Sequence, residues 1–419
     1  MYPVRRTTRK EVSVAAPPSK AHTLRALFLS ALADGTSTIH NPLLGADQLH
    51  AIECLRGLGV SVAGGADALT VAGCNGAFRP AADELNAGES GVTMNFLLAV
   101  ANLASRPVVI TGTPRLRERP VGEIVGGLRQ LGCRLDFVER EGFPPVRVHG
   151  GGIPGGAARM SGQITSQYFS AVAAAAPYAR TPVQLHCAGT MTERPYLEIT
   201  LSMMSDGGVA VKRRDFIELS IPNDRRYRAR DLRIEGDYSS ASFFFEAAAI
   251  CGMRVRVTGL SAASVQGDRA ILPLFEAMGC VVRAEPDAVT VAGAGLHGIK
   301  AEMADNPDLV PPVAVAAAFA AGETRLDGVG HLRHKESDRI AAIISELAKM
   351  GVGARCDESS LTICGGRPQG ARIHPHNDHR IAMSFAVAGL AVEGQQIEDE
   401  ACVAKSFPDF WKAFGAFEG

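Results

Sequence analysis

The segment VPPVAVAAAFAAGETRLDG, residues 310–328, contains the pattern from which the fold can be predicted. Its first part is apolar and rich in alanine, and it is followed by a glycine turn and a short stretch ending in Leu326-Asp327-Gly328. Apolar residues on every side indicate a buried helix, and the alternation of polar and apolar residues after Gly322 is typical of a strand. We therefore predict a buried helix, a turn and a short strand.

This pattern recurs along the whole chain. Its strand ends are triplets of an apolar, a polar and a further residue, namely Ile39-His40-Asn41, Ile110-Thr111-Gly112, Leu185-His186-Cys187, Val257-Thr258-Gly259, Leu326-Asp327-Gly328 and Ile397-Glu398-Asp399. Their first residues are separated by 71, 75, 72, 69 and 71 positions. A second marker, a helix end closed by glycine, occurs at Gly59, Gly132, Gly279 and Gly351, with weaker copies near Gly208 and Gly415.

Six units of about seventy residues therefore make up the chain, each with helices and three or four short strands. A single unit cannot cover its own apolar face, so the copies must pack together. An open solenoid would need polar capping units, and none is evident. Two closed clusters of three units fit the sequence better, which makes the predicted fold class α/β (α+β).

Composition limits the range of functions. A length of 419 residues favours two domains, and an apolar fraction of 46% suffices for two cores. The net charge of -1 gives no basic surface for nucleic acid or anionic membranes. No apolar run has the length of a signal peptide or membrane span, so we expect a cytoplasmic protein. The nine cysteines contain no CxxC pair, which favours reduced thiols over disulfides or a zinc site.

Charged residues collect in the loops after the strand triplets. These residues are Arg115, Arg117, Glu118 and Arg119; Glu193 and Arg194; Gln266 and Asp268; Lys335, Glu336, Asp338 and Arg339; and Lys405. Loops of successive units tend to meet on one edge of a repeat fold, where these cations would form a site for a small polyanion such as a phosphorylated carboxylic acid. The alternative is a set of solvated surface charges.

Several predicted helix starts carry polar groups. Ser19 is a suitable N-cap for a helix in which Lys20 lies beside the positive end of the dipole. Asp308 precedes a buried helix and is either a cap or a base, whereas Asp237 is interpreted mainly as a cap. His379 and Arg380 open another helix and suit anion binding and proton transfer. His374 and His376 lie close by, but no further cysteine or glutamate completes a metal site.

Taken in order, these motifs resemble the 5-enolpyruvylshikimate-3-phosphate synthase family over essentially the whole chain. The matching segments are PPSKAHTLRALFLSALADG, RLRERPVGEIVGGLRQLG, GQITSQYFSAVAAAAP, GDYSSASFFFEAAA, NPDLVPPVAVAAAFAAG, HKESDRIAAIISELAKMG, NDHRIAMSFAVAGL and AKSFPDFW. The resemblance implies an inside-out, barrel-like α/β fold of two domains with three units each. One domain would span residues 18–233, the other residues 1–17 and 234–419, with the active site in the cleft between them.

The resemblance also implies a reaction and its residues. The enolpyruvyl group of phosphoenolpyruvate would pass to the 5-hydroxyl of shikimate 3-phosphate through a tetrahedral intermediate, in the shikimate pathway that glyphosate targets. The implied catalytic residues are Asp308, Glu336, Lys20 and His379. The implied phosphoenolpyruvate ligands are Lys20, Gly91, Arg119, Gln167, Arg339, Arg380 and Lys405. The implied acceptor ligands are Lys20, Ala21, Arg25, Thr165, Ser166, Gln167, Tyr196, Asp308 and Lys335. No cofactor or metal is implied, and we expect a monomer that binds neither nucleic acid nor membranes.

The chain departs from the family pattern at a few positions, chiefly Glu89, Asn95 and Glu193. Glu193 stands where the family usually has serine, near the expected acceptor phosphate, although the neighbouring Thr192 could take that place. An unpaired carboxylate near a phosphate is unfavourable, so an enolpyruvyl transferase with another acceptor, such as a nucleotide, is the alternative. A non-catalytic binding protein or an RNA-end enzyme is a third hypothesis. The neutral charge argues against RNA, and the retained Asp308, Glu336 and Lys405 argue against a non-catalytic protein.

Overall fold

The computed structural model describes residues 1–419. The chain forms two compact units. The continuous unit comprises Lys20–Ile234, and the discontinuous unit comprises Met1–Ser19 together with Glu235–Gly419.

The strands are short, as the triplet pattern predicts. In chain order they are β1 (Tyr2–Pro3), β2 (Glu11–Ala15), β3 (Thr36–His40), β4 (Ser61–Gly64), β5 (Ala68–Ala72), β6 (Glu84–Asn86), β7 (Val108–Thr111), β8 (Leu135–Phe137), β9 (Val146–Val148), β10 (Gly156–Ser161), β11 (Val183–Ala188), β12 (Lys212–Arg214), β13 (Glu218–Ile221), β14 (Asp231–Arg233), β15 (Arg254–Thr258), β16 (Val281–Ala284), β17 (Ala288–Ala292), β18 (Lys300–Glu302), β19 (Glu323–Asp327), β20 (Gly353–Cys356), β21 (Ser360–Cys364), β22 (Arg372–Ile373) and β23 (Gln396–Ile397).

The α-helices range from long buried segments to single turns. In chain order they are α1 (Lys20–Leu32), α2 (Ala46–Gly57), α3 (Gly91–Val100), α4 (Pro114–Arg117), α5 (Gly122–Gln130), α6 (Gln167–Ala175), α7 (Arg194–Asp206), α8 (Tyr238–Cys251), α9 (Ile271–Ala277), α10 (Val310–Ala318), α11 (Arg339–Lys349), α12 (His379–Gly389) and α13 (Phe410–Phe414).

The continuous unit contains three four-stranded sheets with one shared topology. Their strand orders are β14-β3-β5-β4, β6-β7-β9-β8 and β10-β11-β13-β12. In each sheet the first two strands are parallel, and the other two neighbouring pairs are antiparallel. The helix α3, which is almost entirely buried, packs against α1 and α6. Its mainly apolar sequence, GVTMNFLLAV, accounts for this position, because no face of it is strongly polar.

The discontinuous unit also contains three sheets. Two have four strands in the orders β16-β17-β15-β2 and β18-β19-β21-β20, and the third has three strands in the order β1-β23-β22. The buried helices α8, α10 and α12 pack against one another. All nine residues of α10 are buried, which confirms the helix predicted from the opening segment. The predicted mixed α/β class is therefore confirmed, and the triplets lie at the ends of β3, β7, β15, β19 and β23 and one residue before the end of β11.

Glycines follow the helix ends, as predicted, and five of the six have the left-handed conformation. Gly59, Gly132, Gly208, Gly279 and Gly351 all have positive φ angles, a conformation that costs glycine little. The sixth, Gly415, has a φ of -56° and is not a left-handed cap. Gly415 still closes α13, which ends at Phe414, and the turns that follow continue to Phe417.

No helix combines the length and the apolar character needed to cross a membrane. All nine cysteines are free thiols.

Candidate active site

Arg339 is the centre of an ion-pair cluster in the discontinuous unit. Its side chain is 1% exposed, and it donates from Nε to Asp378 Oδ2 at 2.9 Å, from Nη1 to Asp308 Oδ1 at 3.0 Å and from Nη2 to Glu336 Oε2 at 2.8 Å. Three carboxylates from three separate segments thus share one guanidinium. Burial alone would lower the pKa of Arg339, but Asp378, Glu336 and Asp308 raise it above its ordinary value. The guanidinium is therefore permanently charged.

Two further cations adjoin these carboxylates. Arg380 donates from Nη2 to Asp308 Oδ2 at 2.6 Å, so both oxygens of Asp308 accept from guanidinium groups. The ammonium of Lys405 lies 3.7 Å from Glu336 Oε1. Both side chains are almost completely buried, which strengthens their interaction with any anion by excluding water. Three cations and two carboxylates predicted from sequence are therefore brought together.

The start of α12 holds this cluster in position. Asp378 caps the helix by accepting from the Arg380 amide at 3.0 Å, and it also accepts from Ser337 Oγ at 3.1 Å. His379 Nδ1 lies 3.9 Å from Asp378 Oδ1, and the ring is fully buried. Helix α12 begins at His379, as predicted, and its N-terminal position makes the region favourable for anions.

Asp268 is a buried carboxyl that the sequence did not identify as a site residue. It accepts weakly from Asn306 Nδ2 at 3.5 Å. Burial, together with the neighbouring Asp308 carboxylate, raises the pKa of Asp268 to about 7. The only sequence signal was its place in one of the charged loops, which it shares with many surface residues. The region near Asp308 therefore contains a further carboxyl, one whose pKa lies well above its ordinary value.

In the continuous unit, Lys20 and Arg25 lie on the first two turns of α1. Lys20 Nζ is 3.7 Å from Asp47 Oδ2. Arg25 is fully buried and donates to Thr200 Oγ1 at 2.7 Å, to the Ala21 carbonyl at 3.0 Å and to the Tyr196 carbonyl at 2.8 Å. Burial lowers the pKa of Arg25 to about 10, which leaves it charged at neutral pH. Arg25 thus links α1 to α7 and fixes the backbone at Tyr196.

Gly91 and Arg119 form a second feature of this unit. Gly91 is the first residue of α3, which Ser90 caps by accepting from the Thr93 amide. A Cβ atom at Gly91 would lie 2.9 Å from the guanidinium of Arg119. The absence of a side chain therefore lets a guanidinium lie against the positive end of a helix, an arrangement that suits an anion.

The residues Thr165, Ser166 and Gln167 precede and open α6. Glu193 accepts a short hydrogen bond from Thr165 Oγ1, and the Glu193 carbonyl accepts from Ser166 Oγ at 2.6 Å. Thr192 instead donates to the carbonyls of Gly162 and Gln163. Glu193, and not Thr192, therefore contacts the predicted acceptor motif. Gln167 Oε1 is buried and has no hydrogen-bond partner, so it is available to a ligand.

Other predicted loop residues have local partners. Arg115 pairs with Glu118 at 2.9 Å, and Asp338 caps α11 through the Ala341 amide. Lys335 is half-buried between the turn Gly330–His334 and α11. His374 and His376 contact the carboxylates of Glu398 and Glu346 at 3.1 and 2.8 Å. No group of three or more histidine, cysteine or acidic residues in the chain is arranged to hold a metal ion.

Comparison with known proteins identifies the family. A sequence profile for EPSP synthase (3-phosphoshikimate 1-carboxyvinyltransferase) matches residues 4–414. The chain belongs to this family. It is 46% identical to the 3-phosphoshikimate 1-carboxyvinyltransferase of Methanoculleus marisnigri, over 98% of this chain and 97% of the relative. The corresponding protein of Methanoregula boonei is 42% identical over 96% of each chain.

A solved structure supports the same conclusion. An EPSP synthase from Acinetobacter baumannii superimposes with a TM-score of 0.82 at 26% sequence identity, covering all of this chain and 98% of that one. The prediction of an EPSP synthase from sequence is confirmed, and so is the enzyme class, 3-phosphoshikimate 1-carboxyvinyltransferase. The alternative of a nucleotide acceptor is not favoured by these relatives.

Proposed function

We propose that this EPSP synthase transfers the enolpyruvyl group of phosphoenolpyruvate to the 5-hydroxyl of shikimate 3-phosphate and releases phosphate. The observation that carries the proposal is the buried set of Arg339, Arg380 and Lys405 around Asp308 and Glu336. The three cations suit a substrate that has both a phosphate and a carboxylate. The two carboxylates beside them can exchange protons with that substrate. The family membership supplies the reaction.

The donor would be bound chiefly by cationic side chains. Arg339, Arg380 and Lys405 neutralise negative charge on phosphoenolpyruvate, and Lys20 and Arg119 contribute two further cations. The Gln167 amide and the α3 N-terminus at Gly91 provide uncharged contacts. Such a site binds a dianion tightly only when water is excluded, which the burial of the three cations in the discontinuous unit favours.

The acceptor would be bound by Lys20, Ala21, Arg25, Thr165, Ser166, Gln167, Tyr196, Asp308 and Lys335. Arg25 acts mainly by fixing α1 to α7, because three of its donors already serve protein atoms. The acceptor oxygen adds to carbon 2 of phosphoenolpyruvate while carbon 3 takes a proton. The resulting tetrahedral intermediate then loses a proton from carbon 3 and phosphate from carbon 2, and the double bond is restored.

Proton transfer would fall to Asp308 and Glu336, with Lys20 and His379 assisting. The two guanidiniums that contact Asp308 stabilise its ionised form, which is the form that accepts a proton from the acceptor hydroxyl. Glu336 lies between Arg339 and Lys405 and would exchange the proton at carbon 3. These roles require no metal or organic cofactor.

The direct test is to follow phosphate release in a mixture of the protein, phosphoenolpyruvate and shikimate 3-phosphate, and to identify the product by mass spectrometry. The control replaces shikimate 3-phosphate with a nucleotide sugar. Phosphate release in the mixture with the nucleotide sugar, and none in the mixture with shikimate 3-phosphate, would contradict the proposed acceptor.

Replacing Glu336 with glutamine should lower kcat by roughly two or more orders of magnitude, because the amide cannot transfer a proton. Steady-state kinetics measure the change. Asp338→Asn in the same loop is the control and should leave kcat within about twofold, since Asp338 caps α11 and pairs with the partly exposed Arg333. An unchanged rate in Glu336→Gln would remove Glu336 from the mechanism.

Replacing Gly91 with alanine should raise the KM for phosphoenolpyruvate about tenfold. The added methyl group would lie 2.9 Å from the Arg119 guanidinium and force that side chain away from the donor. Kinetics with each substrate varied in turn measure the effect. Gly126→Ala on α5, where a Cβ meets nothing within 4 Å, is the control. An equal change in both KM values would argue against a specific contact with the donor.

A further inference from the structure

Glu193 has an unusual conformation at the start of α7. It is fully buried, and its backbone is left-handed, with φ 58° and ψ 29°. This conformation is uncommon for residues other than glycine, asparagine and aspartate. Residues held in such conformations often occur at functional sites, where the surrounding structure imposes them. The position therefore calls for an explanation beyond helix packing.

The contacts of Glu193 involve two hydroxyl groups. Thr165 Oγ1 donates to the Glu193 carboxylate, and Ser166 Oγ donates to the Glu193 carbonyl at 2.6 Å. A hydroxyl carries a single proton and can donate one hydrogen bond at a time. In this structure both hydroxyls of the motif are thus directed to one residue. The same two hydroxyls are among the acceptor ligands in the function proposed above.

We propose that Glu193 determines which acceptors this enzyme binds well, an inference that rests on the proposed function. An acceptor phosphate that binds at Thr165 competes with the Glu193 carboxylate for the same proton and is also repelled by its charge. An acceptor hydroxyl at this position can instead donate to the carboxylate. Glu193 therefore weakens binding of a phosphate monoester relative to an unphosphorylated alcohol of the same skeleton.

Two matched pairs of variants separate charge from shape. Glu193→Gln removes the charge and exchanges one acceptor oxygen for an NH2 group at almost unchanged shape, and Glu193→Asn differs from Glu193→Asp in the same way. Asparagine and aspartate tolerate the left-handed conformation well, so the second pair should fold even if the glutamine side chain distorts the turn. Circular dichroism verifies the fold of every variant.

The expected result is a lower KM for shikimate 3-phosphate in both neutral variants, by about tenfold relative to their charged counterparts. The KM for phosphoenolpyruvate should stay within about twofold. The ratio of kcat/KM for shikimate 3-phosphate to that for shikimate should rise by a similar factor. A purely structural role for Glu193 would alter both substrates together. Neutral variants with an unchanged or higher KM for shikimate 3-phosphate would overturn the inference.

A binding measurement keeps the inference separate from the proposed function. If the wild type turns over neither shikimate 3-phosphate nor shikimate, the proposed function fails. Calorimetry can still compare the affinities of Glu193→Asn and Glu193→Asp for inorganic phosphate. Tighter phosphate binding to the asparagine variant supports competition at Thr165. Equal binding to the two variants overturns it.

Discussion

Replacing Arg339 with glutamine should destabilise the discontinuous unit by about 3–5 kcal/mol and reduce turnover to near the detection limit. Arg339 is the shared partner of Asp308, Glu336 and Asp378, and removing it leaves the fully buried Asp378 without a guanidinium, whereas Asp308 keeps Arg380 and Glu336 keeps Lys405. Breaking a buried ion pair by removing one member has a cost of this size, because the remaining charge is left uncompensated. Catalysis would fail as well, because the cluster of Arg339, Arg380 and Lys405 with three carboxylates would change from neutral to a net charge of about -1, which disfavours an anionic donor.

The stability of the Arg339→Gln variant can be measured by tryptophan fluorescence and compared with that of a control variant. Trp411, the only tryptophan in the chain, lies in α13 of the discontinuous unit, where it stacks on Tyr2. Its fluorescence during urea unfolding therefore reports on the unit that contains Arg339. Arg333→Gln is the control, because Arg333 is partly exposed and pairs with Asp338 at 3.4 Å, an interaction worth less than about 1 kcal/mol. Equal stability of the two variants would show that the cluster does not depend on Arg339.

Arg339→Lys distinguishes charge from geometry. Lysine keeps the positive charge but cannot reach three carboxylates with one planar group. We expect the lysine variant to recover part of the stability and little of the activity. Full recovery of activity would indicate that the charge alone matters.

The fold could be predicted largely from sequence because its signal is repeated. The apolar pattern of residues 310–328 predicts α10 and β19, and the triplet spacing predicts the strands that lie inside the sheets. Gly415 shows the limit of such reasoning. It is a weaker copy of the marker that also follows a helix, but its φ is -56° and the turns after it continue to Phe417.

The candidate site was predictable as a set of residues but not as a set of contacts. Family motifs give Arg339, Asp308 and Glu336, yet no local pattern shows that residues 308 and 378 meet the same guanidinium. The same is true of Arg25, whose partner Thr200 is 175 positions away. Long-range pairing of this kind follows from tertiary packing, which sequence periodicity does not encode.

Glu246 is the residue that the sequence should have identified. It interrupts the apolar run FFFEAAA in α8, a helix predicted to be buried, and a lone carboxyl in such a helix must be either paired or neutral. In the structure it is fully buried, and neither carboxyl oxygen has a hydrogen-bond partner. Burial raises the pKa of Glu246 well above its ordinary value, and the nearby hydroxyl of Ser384 on α12 only partly opposes that rise.

Replacing Glu246 with leucine should therefore stabilise the discontinuous unit at pH 8 more than at pH 5. In the unfolded chain Glu246 loses its proton above the ordinary pKa of 4.5, whereas in the folded protein it keeps that proton to a higher pH. Between that value and the raised pKa of the folded state, the unfolded chain binds fewer protons, so wild-type stability falls as the pH rises. The slope is about 1.4 kcal/mol per pH unit within this window. The leucine variant has no carboxyl at this position, so its stability does not fall with pH for this reason.

Urea unfolding followed by Trp411 fluorescence at several pH values measures the difference between wild type and variant. Glu246→Gln is the matched control, because glutamine does not titrate but is still polar. Burying its amide without hydrogen-bond partners lowers the free energy of unfolding. We therefore expect the glutamine variant to be no more stable than wild type at pH 5 and more stable at pH 8. If the free energies of unfolding of the leucine variant and the wild type differed by the same amount at every pH, Glu246 would not change its protonation on unfolding in this pH range. Its cost would then be that of burying a polar group, independent of its proton.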